Sequence, residues 1–159
     1  RERKIARDSA ITASCDPSTV SSRGHRFEEG LRFPIIIDDY IESRDGSDEK
    51  YDVESIPTQN STRKFVAMME GLGVSADLIR SKSGRAIRAG KGTMRGRKYR
   101  TPKSVLLVVA QKGGLEKAAR NIPGVDVVAA KDLCAEDIAP GGDMGRLTVW
   151  TKSAIGALE

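Results

Sequence analysis

Ten positively charged side chains fall within residues 80–103: Arg80, Lys82, Arg85, Arg88, Lys91, Arg95, Arg97, Lys98, Arg100 and Lys103. No acidic residue occurs anywhere in residues 78–115, so these groups have no carboxylate partner nearby in sequence. Cations at this density repel one another and oppose a compact state unless a polyanion relieves them. Phosphate backbones are the commonest polyanions in a cell. Six of the ten are arginines, whose planar fork grips phosphate bidentately and stacks on bases. Gly84, Gly90, Gly92 and Gly96 remove side chains, so backbone amides can approach a phosphate or a groove wall. Tyr99, between Lys98 and Arg100, is suited to stacking on a base or ribose. Apolar anchors are few, chiefly Ile87 and Met94, which argues against a membrane-surface helix with its broad apolar face. The segment reads as a flexible, basic, glycine-rich loop that binds nucleic acid; the plain alternative is a solvated loop that binds nothing in particular.

Two nucleotide-binding templates can be laid on the same residues, and both fail. The dinucleotide pattern G-x-G-x-x-G has one residue too many between Gly92 and Gly96. The P-loop pattern is also one residue too long from Gly84 to Lys91, and Gly92 stands where a magnesium-binding hydroxyl is needed. Cys15 and Cys134 are far apart and outside any CxxC pair, and with the single histidine, His25, they lack metal-ligand spacing. They read as small buried or half-buried thiols. Asp38-Asp39 offers paired carboxylates without a properly spaced third ligand. No catalytic residue, metal, cofactor or small-molecule substrate is expected.

The elements that must hold the basic segment belong to a different kind of chain. The sequence has 159 residues, with 27 Lys and Arg against 22 Asp and Glu, a net charge of +5. Residues 78–115 hold 11 of those cations, leaving 16 basic and 22 acidic residues elsewhere. An acidic body therefore carries one basic segment. The length suits a single domain over residues 1–159, and with only seven aromatic residues its core must be mostly aliphatic. The longest apolar run, residues 105–110, is far short of a membrane span, and the N-terminus does not resemble a secretory signal.

Residues 3–13 have helical spacing, with a small-residue face of Ala6, Ala10 and Ala13, and Asp16-Pro17 breaks the pattern. Pro34-Ile35-Ile36-Ile37 predicts a short buried strand. Residues 38–54, with eight acids and two bases, read as an exposed acidic loop. Asn60 or Ser61 can cap a helix bearing Phe65, Met68, Met69 and Leu72 at i, i+3, i+4, i+7 spacing. Residues 105–110 and 125–130 predict strands buried on both faces, separated by a short helix from Leu115. A helical turn at 132–138, a strand at 147–150 and a helix capped by Thr151 follow. This alternation predicts an α/β fold: an open, mostly parallel sheet with helices on its faces.

Several segments carry a resemblance beyond pattern. Arg88-Ala-Gly-Lys-Gly-Thr-Met-Arg-Gly-Arg-Lys-Tyr-Arg-Thr-Pro-Lys103 resembles the basic motif of large-subunit ribosomal protein four, archaeal and eukaryotic type. Ala118-Ala-Arg-Asn-Ile-Pro-Gly-Val-Asp126, Ala139-Pro-Gly-Gly-Asp-Met-Gly-Arg-Leu-Thr-Val-Trp-Thr151 and Ser153-Ala-Ile155 continue it. Glu2-Arg3, Ser9-Ala10 and Arg23-Gly-His-Arg-Phe27 resemble the family too, so the similarity runs nearly end to end. The resemblance implies a Rossmann-like fold and a structural constituent of the cytoplasmic ribosome's large subunit, binding ribosomal RNA beside neighbouring ribosomal proteins. The RNA contacts it implies are Arg88, Lys91, Arg95, Arg97, Lys98, Tyr99 and Arg100, with Arg85 and Lys103 from the same basic segment. Arg3, Arg23, His25 and Arg26 are further candidates, and His25 reads equally well as a surface histidine in a turn. The chain departs from the family at Asp8, where a basic residue is usual, and at Lys152, where an acid is usual. It also starts without Met, inside the family's sequence, so that the first elements of the domain and a tunnel-directed arm would lie upstream. The rival functions are a nucleotide-dependent enzyme on the same fold and an RNA-binding regulator outside the ribosome.

Overall fold

A computed structural model describes residues 1–42, 50–52 and 61–158, with side chains at 1–39 and 61–158. Its helices are α1 (Glu2–Ser14), α2 (Pro17–Ser22), α3 (Ser61–Gly71), α4 (Ser75–Ser83), α5 (Gly114–Ala119), α6 (Ala135–Ile138) and α7 (Lys152–Gly156). Its strands are β1 (Ile35–Ile37), β2 (Tyr40–Glu42), β3 (Lys50–Asp52), β4 (Ala86–Ile87), β5 (Tyr99–Arg100), β6 (Leu106–Val109), β7 (Asp126–Ala129) and β8 (Thr148–Thr151).

The central sheet has the order β1-β8-β6-β7, with every neighbouring pair parallel. The strand pleat sorts the aliphatic run of β6 between two cores. Val105, Leu107 and Val109 meet Phe65 and Met69 of α3, Leu78 of α4 and Leu115 of α5. Leu106 and Val108 face the other way, joining Trp150, Ala10 of α1, Ile138 of α6 and Ala154 of α7. Each of these β6 side chains is fully buried, which explains the unbroken apolar sequence. Full burial of one such side chain stabilises the fold by about 1.5–3 kcal/mol.

Several expectations need correction. β1 is an edge strand, and Ile36 is 51% exposed, because the helices that cover its neighbour Trp150 leave it uncovered. Asp16-Pro17 ends one helix but also starts another, missed in the sequence: the Asp16 carboxylate accepts the backbone N–H of Ser18 (3.3 Å) and Thr19 (3.2 Å). Hydrogen bonds from the Ser18 and Thr19 hydroxyls help lower its pKa to about 2. Within the supposed acidic loop, β2 and β3 pair antiparallel, since the aromatic and β-branched residues Tyr40, Ile41 and Tyr51 suit a strand despite the charges. Residues 43–49 and 53–54 of that segment, and Asn60, lie outside the described residues. Asp39 accepts the N–H of Ser153 (3.0 Å) at the start of α7, a structural use of a carboxylate considered for metal binding. Cys15 is half-buried as expected, but Cys134 is exposed at the start of α6, its thiol 2.9 Å from Asp137.

The sheet's N-terminal end depends on one close approach. Gly124 has φ +84°, and a Cβ there would lie 2.3 Å from the Pro102 carbonyl oxygen. Its own carbonyl accepts the N–H of Ser104 (2.8 Å), starting the register of β6. Gly124→Ala should therefore combine left-handed strain with overpacking and cost about 3 kcal/mol, lowering Tm by roughly 6–12 °C. Gly30, φ +90° with nothing within 4 Å of where a Cβ would sit, is the control. Gly30→Ala should cost only about 1–2 kcal/mol in the same thermal melt.

Candidate nucleic-acid interface

The basic segment is not an irregular loop. Its first four residues complete α4, so residues 80–83 are helical rather than loop, stabilised by Leu78 in the core and by Arg80 and Lys82 near the helix C-terminus. Beyond Gly84 the chain forms a hairpin. Ala86 pairs with Arg100 and Ile87 with Tyr99, and the Arg88 N–H donates to the Lys98 carbonyl (2.9 Å). At the tip, the Thr93 hydroxyl donates to the Arg88 carbonyl (2.6 Å), and the Arg95 and Arg97 N–H groups share the Gly92 carbonyl (3.2 and 3.0 Å). Gly90 and Gly96, at φ +95° and +76°, supply the left-handed residues that the turn requires.

The feet of the hairpin are clamped by one buried carboxylate. Asp77 is 0% exposed. Its Oδ1 accepts Arg80 Nε–H (2.8 Å) and the Arg26 backbone N–H (3.0 Å), and lies 3.1 Å from His25 Nδ1. Its Oδ2 accepts the Ser104 hydroxyl (2.5 Å) and Arg80 Nη2–H (3.3 Å). Arg80 Nη2 also donates to the Lys103 carbonyl (2.7 Å). Thus α4, the foot of the hairpin leading into β6, and the turn at His25 meet at one group. Burial alone would raise the Asp77 pKa, but the hydrogen bonds from His25, Arg80 and Ser104 outweigh it and hold the group well below the usual carboxylate range.

A second node closes the end of the sheet. Asp126, at the start of β7, accepts Lys103 Nζ–H (2.7 Å) and Arg146 Nη2–H (2.6 Å). Arg146 is 1% exposed and also donates to the carbonyls of Ser104 (3.0 Å) and Asp137 (2.8 Å). Burial opposes ionisation of Asp126, yet Lys103 and Arg146 leave its pKa lowered. Neither Asp77 nor Arg146 stood out in the sequence. The only signal was indirect: Asp77 is the last acid before the acid-free stretch.

The expected site residues therefore divide. Arg85, Arg88, Lys91, Arg95, Arg97, Lys98, Tyr99 and Arg100 are brought together on the hairpin, all exposed. Among the described residues none of these cations forms a salt bridge. Arg85 lies over the Tyr99 ring, its guanidinium carbon 4.2 Å from the centroid, with Lys98 Nζ at 5.6 Å. Lys103 stands at the foot, half exposed and paired with Asp126. Arg26 is exposed beside the clamp. His25 is corrected from a surface residue: its side chain is 2% exposed and held against Asp77, so it presents nothing to solvent. Arg23 donates to the carbonyls of Pro140 (2.9 Å), Asp143 and Met144, bracing the turn before β8. Arg3 is exposed on α1, in the helix layer across the sheet from α4.

The hairpin rises from the N-terminal ends of β6, β7 and β8, since residues 101–105 lead from it directly into β6. Open α/β sheets hold nucleotides at the opposite, C-terminal ends of their strands. No cluster of three or more His, Cys, Asp or Glu that could hold a metal occurs among the described residues. Nor is any described helix long and apolar enough to cross a membrane.

Comparison with known proteins gives a consistent result. The chain is similar to the large ribosomal subunit protein uL4 of Methanocaldococcus jannaschii, with 47% identity over 160 residues, covering all of this chain and 57% of the relative. The uL4 of Haloquadratum walsbyi is 46% identical over 155 residues, covering 98% of this chain and 56% of the relative. That of Thermoplasma acidophilum is 43% identical over 159 residues, covering 100% and 56%. The chain thus spans a little over half the length of these relatives. The family described as ribosomal protein L4/L1 matches residues 1–159, from the first helix through the hairpin to the last strand and helix. The chain belongs to the ribosomal protein L4/L1 family.

Proposed function

We propose that this chain is a non-catalytic, structural part of the large subunit of the cytoplasmic ribosome, and that its hairpin binds ribosomal RNA beside neighbouring ribosomal proteins. One observation carries the reading: seven exposed cations, from Arg85 to Arg100, stand on a hydrogen-bonded hairpin without a single described carboxylate partner. The names of the relatives support the setting. Phosphates supply the missing countercharge, and the guanidinium forks supply the geometry to hold it. Arg3 and Arg26 add exposed charge from the body. Arg23 and His25 act through the fold, one bracing a turn and the other holding Asp77.

Each neutralised phosphate contributes about −0.7 to −0.9 to the log–log dependence of affinity on salt. Replacing Arg95, Arg97 and Arg100 with Ala should weaken binding to structured ribosomal RNA and reduce the magnitude of that slope by about 2 to 3. Filter binding across a salt series measures both, and an unchanged affinity and slope would sink the reading.

The clamp has its own test. Asp77→Asn removes the charge that the buried end of Arg80 depends on, and loss of one partner from a buried pair costs about 3–5 kcal/mol. Because folding lowers the Asp77 pKa, its stabilisation is complete above the ordinary carboxylate range and disappears as pH falls through the lower folded-state value. Thermal melts should show the wild type far above the variant near neutral pH. The two should converge only under strongly acidic conditions. A gap that persists there would show that Asp77 acts by shape rather than charge.

A further inference from the structure

The two faces of the hairpin carry different chemistry. Side chains alternate across a strand pair, so the register Ile87↔Tyr99 puts those two side by side on one face, with Arg85 two residues before Ile87 on the same side. The register Ala86↔Arg100 and the Arg88–Lys98 bond assign Arg88, Lys98 and Arg100 to the reverse face, with the Lys98 ammonium reaching back to 5.6 Å from the Tyr99 ring. One face is cationic. The other has an aliphatic side chain 64% exposed, an aromatic ring 44% exposed and a guanidinium stacked on that ring.

This second face belongs to neither of the two hydrophobic cores among the described residues. The Arg85 side chain donates to no acceptor among the described residues, so the Tyr99 ring, 4.2 Å from its guanidinium carbon, is the contact that holds it. A guanidinium held in this way leaves its outer face for a second flat π-system and its N–H edge for an acceptor. The surroundings select the occupant. With no acid in residues 78–115, an approaching group must bring negative charge as well as a flat, weakly hydrated surface. An unpaired nucleotide has both, whereas a paired duplex hides its base faces and presents only sugars and phosphates.

We infer that the face formed by Arg85, Ile87 and Tyr99 is a stacking platform for an unpaired nucleobase, which extends the Tyr99–Arg85 stack. This rests on the RNA-binding reading of the hairpin and adds the kind of RNA element it prefers: one with a base outside the helix. The cationic face then holds the flanking phosphates, while the platform reads whether a base is available.

The test uses the full chain and two RNAs, a fully paired duplex and the same duplex interrupted by a short adenosine bulge that carries a fluorescent adenine analogue quenched by stacking. The wild type should prefer the bulged RNA and quench the analogue. Arg85→Lys keeps the charge but loses the planar surface, and Tyr99→Leu removes the ring beneath it. Each should abolish the quenching and cut the preference for bulged over duplex RNA about tenfold. Equal wild-type affinity for both RNAs would overturn the inference. So would a preference that survives both substitutions, or a loss of protein partners with RNA binding intact. Failure of the RNA-binding reading looks different: the variant with Arg95, Arg97 and Arg100 replaced would bind both RNAs as the wild type does.

Discussion

A single ionised carboxylate, that of Asp77, determines how the basic hairpin is attached to the fold. An ionised group so deeply buried is costly unless its oxygens are fully engaged, and Asp77 engages them with groups from three separate parts of the chain. Each of those parts is held where it must be: α4 where it ends, Ser104 where β6 begins, and the turn at Arg26. The second node, Asp126 with Lys103 and Arg146, repeats the arrangement where three parallel strands start. Between them the nodes brace the hairpin against the sheet that residues 101–105 join it to.

The cations of the basic segment are consequently of two kinds that a count cannot separate. Arg80 and Lys103 face inward to carboxylates and carbonyls and are part of the framework. Lys82 and those from Arg85 to Arg100 face solvent. The same division holds in the body, where Arg146 and Arg23 are bound to main-chain oxygens while Arg3 and Arg26 remain exposed. Charge alone is thus a poor guide to which arginines meet a ligand, and hydrogen-bonded surroundings are a better one.

What could be read from the sequence was what has a local cause. The β6 run, the apolar spacing of α3 and the Thr151 cap of α7 depend on near neighbours, and all appear in the structure. The 125–130 run also forms its strand, β7, but at the sheet edge with Val127 and Val128 half-buried rather than buried on both faces, and of the small-residue face of α1 only Ala10 is buried. The hairpin was legible as a basic, glycine-rich segment but not as paired strands, because β4 and β5 are two residues each and show no alternation long enough to notice. Asp77, Arg146 and the burial of His25 were illegible for a different reason. Their partners lie about 20 to 50 residues away in sequence, and only the closed fold brings them together. The helix α2 was hidden by its own signal, since Asp16-Pro17 reads equally as a break and as a start.

The internal hydrogen bonds of the hairpin tip have a thermodynamic consequence. A free loop must give up roughly 1–2 kcal/mol of backbone entropy for every residue that a ligand immobilises. Here the Gly90 and Gly92 carbonyls of the turn already accept the N–H groups of Thr93, Arg95 and Arg97, and the Thr93 hydroxyl holds Arg88, so part of that ordering belongs to folding rather than to association. Affinity then depends on residues that never reach the ligand. Gly90, Gly96 and the Thr93 hydroxyl set how many conformations the free hairpin can explore, and through that number how tightly its arginines hold what they meet.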